Sequence, residues 1–149
     1  MEGLAEQIVA MYLTRGGKVF IVPQYAIAVP GKKSDWSCPD FVALDFSRKE
    51  VVIVEVTTAS DVGSITNKAK DRETQWFRPL RDQLRADEVV TDWTPHGWTM
   101  RFLGFVRQAS LQRARDLVSG HEGVSFEAIE AVTFAWDYWT KRVEGGLPR

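Results

Sequence analysis

The chain has 149 residues, 44% hydrophobic and 26% charged, with a formal net charge of -1 at neutral pH. One domain spanning 1–149 with a substantial core is expected at this length. The near-zero charge speaks against strong non-specific adhesion to nucleic acid or anionic membranes, while leaving room for a local basic patch. Cys38 is the single cysteine, which excludes an internal disulfide and a thiolate metal cluster. There is no signal-peptide pattern and no apolar run long enough to span a bilayer, so the expected setting is cytoplasmic, away from membranes.

Residues 2–14 predict a helix: Leu4, Ile8, Met11 and Tyr12 recur at helical spacing, Ala5 and Val9 widen the stripe, and Glu6 falls at its edge. Gly16-Gly17 ends it. Residues 18–29 are rich in Val, Ile, Phe and Tyr, a strand profile that Pro23 confines to a sheet edge or a bulge. After a turn with a basic tip at 30–35, two strands follow at 39–46 and 51–58, joined by Ser47-Arg48-Lys49-Glu50. A helix is expected over 65–86, with Ile65, Ala69, Trp76, Phe77, Leu80 and Leu84 on one face and a kink or break at Pro79. A strand over 98–108 precedes a helix at 110–119, with Ser110 as N-cap and Gly120 as stop. A last helix over 125–143 carries Phe126, Ile129, Val132, Trp136, Trp139 and Val143, with Phe134 and Tyr138 on another side. A helix apolar on two faces needs two partners: the sheet, and either a second copy of the chain or deep burial. The expected class is α/β: a central mixed sheet of about four strands flanked by helices, in the order helix, three strands, helix, strand, helix, helix.

The two central strands carry the chemistry. Asp40 opens the first and Glu55 lies near the end of the second, both in otherwise apolar sequence. A buried carboxylate is costly unless it is paired or bound to a metal. An antiparallel hairpin sets the start of one strand beside the end of the other, so the two acids meet at one end of the sheet. They repel unless a cation lies between them. With hard oxygen donors and no His/Cys cluster, Mg²⁺ or Mn²⁺ is expected rather than zinc. Water bound to such an ion is a good nucleophile toward a phosphodiester.

Pro39-Asp40, the hairpin and Glu55-Val56-Thr57 together resemble the PD-(D/E)XK nuclease superfamily, the restriction-endonuclease-like fold, over roughly residues 6–108. The resemblance implies metal ligation by Asp40 and Glu55, a further ligand in the Val56 carbonyl, and a first-helix glutamate in Glu6. It also implies DNA, or less favourably RNA, as substrate. The chain departs from the pattern at Thr57, where the family has a lysine that orients the attacking water. Some members carry the missing group on the next helix, where Lys68, Lys70 and Arg72 stand. Helical projection puts Lys70 beside the apolar face and Lys68 further away, so Lys70 is the expected substitute, with Glu73 as a further ligand or its partner.

Each candidate has a plainer reading. Asp40 is, on that reading, a strand-start residue making local hydrogen bonds, Glu55 a solvent-facing strand position, Glu6 an ordinary first-turn acid, Lys70 a solvated lysine and Thr57 strand filler. Arg72, Arg78, Arg81, Arg85, Arg101 and Arg107 offer a phosphate-tracking groove, or else solvated faces balanced by Asp71, Asp82, Asp87 and Glu88. His96 and His121 carry no assignment, and Cys38 is expected to be a small packed residue. Two readings stand beside the nuclease: a catalytically degenerate nuclease-fold module for binding and dimerisation, and an unrelated α/β interaction domain.

Overall fold

The computed structural model describes residues 3–28 and 36–134. Two continuous apolar runs build its centre, their side chains pointing alternately to the two faces of the sheet. Val42, Leu44, Val51 and Ile53 face one way, and Phe41, Ala43, Val52 and Val54 the other, each set joining its own hydrophobic cluster. A sheet apolar on both faces must be covered on both, and helices do so.

Five strands form that sheet, in the spatial order β1 (Val19–Pro23), β4 (Phe41–Asp45), β5 (Glu50–Val56), β6 (Thr99–Val106) and β7 (Val124–Ala128). The pairs β1–β4 and β4–β5 are antiparallel, whereas β5–β6 and β6–β7 are parallel. A separate two-stranded ribbon pairs β2 (Ile27–Ala28) with β3 (Trp36–Ser37). The mixed α/β architecture expected from the sequence is present, with five strands in the main sheet. Pro23 ends β1, which lies at the sheet edge as its missing N–H requires.

On one face lie α2 (Gly63–Lys70), α3 (Arg78–Ala86) and α4 (Gln108–Leu117), contributing Ile65, Ala69, Leu80, Leu84, Leu111 and Ala114 to the larger cluster. On the other lie α1 (Leu4–Thr14) and α5 (Ile129–Phe134), with Val9, Ile129 and Val132. Two long connections, through α2–α3 and through α4, give the parallel pairs their crossovers. No helix of the described residues is long and apolar enough to cross a membrane.

Three expectations need correction. The helix expected at 110–119 runs over Gln108–Leu117 with Arg107 at its N-cap, so Ser110 is a buried helix residue and not the cap. The helix expected over 65–86 breaks before Pro79, not at it. α2 is capped at Asp71, and a π-helical turn over Glu73–Phe77 follows, in which the Arg78 N–H donates to the Glu73 carbonyl. Pro79 then sits in the first turn of α3, where a missing N–H removes no helical bond. The last helix begins at Ile129, not Ser125: residues 124–128 pair with β6, so Phe126 is a strand residue packed on Phe102 at 6.1 Å. Phe126 and Ala128 are buried while Ser125 and Glu127 are exposed, a period of two that five residues are too few to separate from the helical period. Trp136, Tyr138, Trp139 and Val143, on which the dimer expectation rested, lie outside the described residues.

Gly104 of β6 shows how tightly this face is filled. A Cβ there would collide with the Phe126 ring at Cε1 and Cδ1. Gly104→Ala must displace a buried ring, and a loss of about 1–3 kcal/mol is expected by chemical denaturation.

Candidate functional site

Strand register brings the two acids together. Phe41 lies opposite Val54, so one step further Asp40 falls opposite Glu55. Asp40 shares the face of Val42, and Glu55 that of Ile53, so both acids turn toward the α2 layer. Asp40 follows the buried Pro39 and is fixed by its own hydrogen bond: Oδ2 accepts the Val56 backbone N–H at 2.7 Å. That bond ties the entry of β4 to the exit of β5. Glu55 is only 6% exposed. From α2, the Lys68 ammonium donates to Glu55 Oε1 at 3.2 Å.

These neighbours set the protonation of Glu55. Its pKa is pushed up to about 8, first by burial and then by Asp40, which both accepts its proton and repels its charge. Lys68 pulls the other way, but its side chain is 38% exposed and water screens it. Near neutral pH Glu55 therefore keeps a proton, which is how an acid buried beside another settles when positive charge is insufficient.

Asp40, Glu55, Val56, Thr57, Asp61, Ser64 and Lys68 border one cavity of about 280 Å³. Thr57 continues the β5–β6 pairing, its N–H donating to the Phe105 carbonyl at 2.9 Å, while its hydroxyl accepts the Ala59 N–H at 3.2 Å and shapes the exit loop. Asp61 accepts the Gly63 N–H at 2.9 Å at the start of α2. Its place at the cavity was not expected, although Asp-Val-Gly ahead of a helix is a readable turn signal.

Other expected residues are elsewhere. Glu6 turns back on its own helix, its Oε2 accepting the Gly3 N–H, as an acid at the third helical position commonly does. Lys70 is exposed and does not border the cavity. Glu73 is exposed and pairs with Arg81 at 3.6 Å. Both projections assumed one continuous helix, and the break at Asp71 with the following π turn shifts the phase on which they depended. Lys68, three residues beyond the buried Ile65, is the lysine on the inward face. Cys38 is exposed rather than packed.

The arginines are largely engaged within the chain. Arg72 donates to the Glu122 carbonyl at 2.7 Å and the Ala69 carbonyl at 3.0 Å, Arg101 binds Glu50 at 2.9 Å, and Arg107 and Arg85 pair with Glu130 and Asp82 at 3.4 and 3.6 Å. His121 borders a separate cavity of about 330 Å³ between α4 and β7.

Among the described residues no group of three or more His, Cys, Asp or Glu side chains is gathered closely enough to hold a metal ion. The adjacent Asp40–Glu55 pair is thus a two-carboxylate donor set. It suits a hard cation that keeps several of its own waters, as Mg²⁺ does. No family model, curated protein or solved structure matches the chain.

Proposed function

We propose that the chain is a divalent-metal-dependent nuclease of the restriction-endonuclease-like class, hydrolysing phosphodiester bonds of nucleic acid, with DNA the leading reading of the substrate and RNA the second. The observation that carries this reading is the meeting of Asp40, Glu55 and Lys68 at one cavity, with Glu55 holding a proton that a cation would displace. The element order supports it: a helix, an antiparallel run through β1, β4 and β5, a helical crossover, then the parallel strand β6.

Asp40 and Glu55 would hold Mg²⁺ or Mn²⁺, which when bound supplies Lewis-acid stabilisation of the phosphoryl oxygens and a more acidic water. Asp40 keeps its orientation through the Val56 N–H, leaving its other oxygen for the cavity. Glu55 loses its proton on entering the complex. Among the described residues, Lys68 is the one basic side chain bordering the cavity, and its ammonium is placed to stabilise charge developing on a phosphate there. It takes over the part expected of Lys70. Thr57, with its hydroxyl committed to the exit loop, contributes shape rather than charge.

The test is a plasmid-nicking assay with purified protein and Mg²⁺ or Mn²⁺. Wild type should cut only with metal, and its melting temperature should rise on metal addition. Asp40→Asn keeps an oxygen to accept the Val56 N–H but lacks the charge. Its rate should fall on the order of 10²–10³-fold with the fold intact. Wild-type protein indifferent to metal in both cleavage and melting would rule the reading out. Metal-independent DNA binding without cleavage would instead select the degenerate binding module, which the absence of a lysine at position 57 favours.

A further inference from the structure

We propose that Trp76 is the positioning residue for the Lys68 ammonium, its ring face holding that group at the mouth of the Asp40–Glu55 cavity. The catalytic consequence rests on the nuclease reading above. The positioning itself does not.

A lysine head on a four-carbon stem is a poor fixed charge unless something limits its rotamers. Lys68 has two such limits. One is Glu55 Oε1 at 3.2 Å, and the other is the Trp76 ring, whose centroid lies 5.7 Å from Nζ, inside the roughly 6 Å reach of a cation–π contact. The glutamate cannot serve alone, because it must turn to a cation during the proposed reaction. The indole can, because it is locked in the core. Trp76 is 1% exposed and stacks on Phe102 with centroids 5.9 Å apart and planes 9° apart. Its Nε1–H donates to Ser37 Oγ at 2.7 Å. Ser37 lies three residues before Asp40, so one hydrogen bond anchors the indole to the segment that delivers the first carboxylate.

The helix break makes this meeting possible. Eight residues along an unbroken α-helix, Lys68 and Trp76 would stand about 12 Å apart along the axis and about 80° apart around it. The end of α2 at Asp71 and the π turn over Glu73–Phe77 bring the indole back beside the lysine. π turns inside helices are frequent at functional sites. Here the turn joins the core to the basic group at the cavity.

The experiment uses the full chain labelled with ¹³C-lysine. In wild type the Lys68 ε-methylene protons, identified by their loss in Lys68→Met, should lie upfield of those of the solvated lysines because of the indole ring current. Trp76→Leu should return them to the solvated position, and Trp76→Phe, which keeps a ring face, should retain part of the shift. In cleavage, Trp76→Leu should lose about 10–100-fold in kcat with Mn²⁺ affinity changed less than about threefold, whereas Trp76→Phe stays within about fivefold of wild type. If Trp76→Leu does not fold, Ser37→Ala frees the indole without emptying the core and should move the Lys68 signal part of the way. A Lys68 signal among the solvated lysines in folded wild type overturns the proposal, as does a Trp76→Leu protein that cuts at the wild-type rate. Wild type that cuts nothing removes the nuclease reading alone, since the Lys68 signal still decides the positioning.

Discussion

Glu55→Gln is expected to lower metal-dependent cleavage on the order of 10³-fold while making the metal-free protein more stable above pH 8. The two effects share one cause. In the folded chain Glu55 titrates at about 8, against 4.5 for a glutamate free of such neighbours, as in the unfolded chain. Between those values the folded state holds a proton that the unfolded state has released. Its contribution to stability is full below pH 4.5 and is lost as pH rises through 8, with a slope of up to about 1.4 kcal/mol per pH unit. Across the window the loss is on the order of a few kcal/mol. The Asp45 carboxyl, held below its ordinary value first by Ser47, acts in the opposite sense in acid, so it loses its contribution as pH falls. Calorimetry of metal-free wild type should therefore find the highest melting temperature near pH 5 and a decline toward pH 8. Glutamine, neutral and of the same shape, should flatten that decline. Mn²⁺ should also reduce it in wild type, because the ion binds the deprotonated pair. A wild-type melting temperature that is level from pH 5 to 8 would show that Glu55 carries no displaced proton.

Lys68→Met should cost on the order of 10²–10³-fold in cleavage rate, and Lys70→Met less than about threefold. Of the two, only Lys68 reaches Glu55 and the cavity, whereas Lys70 is exposed at the end of α2. Methionine preserves the apolar stem on the helix surface, so the loss is read as lost charge. The same substitution removes the group that opposes the upward shift of Glu55. The melting-temperature decline of Lys68→Met should accordingly extend to higher pH than that of wild type. Equal losses in the two lysine variants would mean that neither charge acts at the cavity and that both serve only the general attraction of the chain for phosphate.

What was legible in the sequence follows from short-range rules. Continuous apolar runs at 41–44 and 51–54, joined by a short polar turn, mark two strands of a hairpin buried on both faces. The meeting of Asp40 with Glu55 is therefore already written in the order of the residues. Pro23 marked the sheet edge because it cannot donate to a ladder. Gly17, at φ 69°, marked the end of α1 because it adopts the left-handed conformation easily. Residues 124–128 were not legible as a strand, because five residues running straight into α5 are too few to separate a period of two from one of 3.6.

The sequence by itself determined the α/β class and the carboxylate pair, since the first rests on local apolar patterning and the second on a hairpin a few residues long. The tertiary structure alone decided which basic group serves that pair. That choice depends on helix phase, and one π turn resets the phase without leaving a mark in composition or spacing. It also decided that Glu6 satisfies the start of its own helix rather than the cavity, because a nearby N–H competes for the carboxylate. The rise in the Glu55 pKa belongs there too, since burial and the approach of Asp40 exist only once the strands have packed beneath α2.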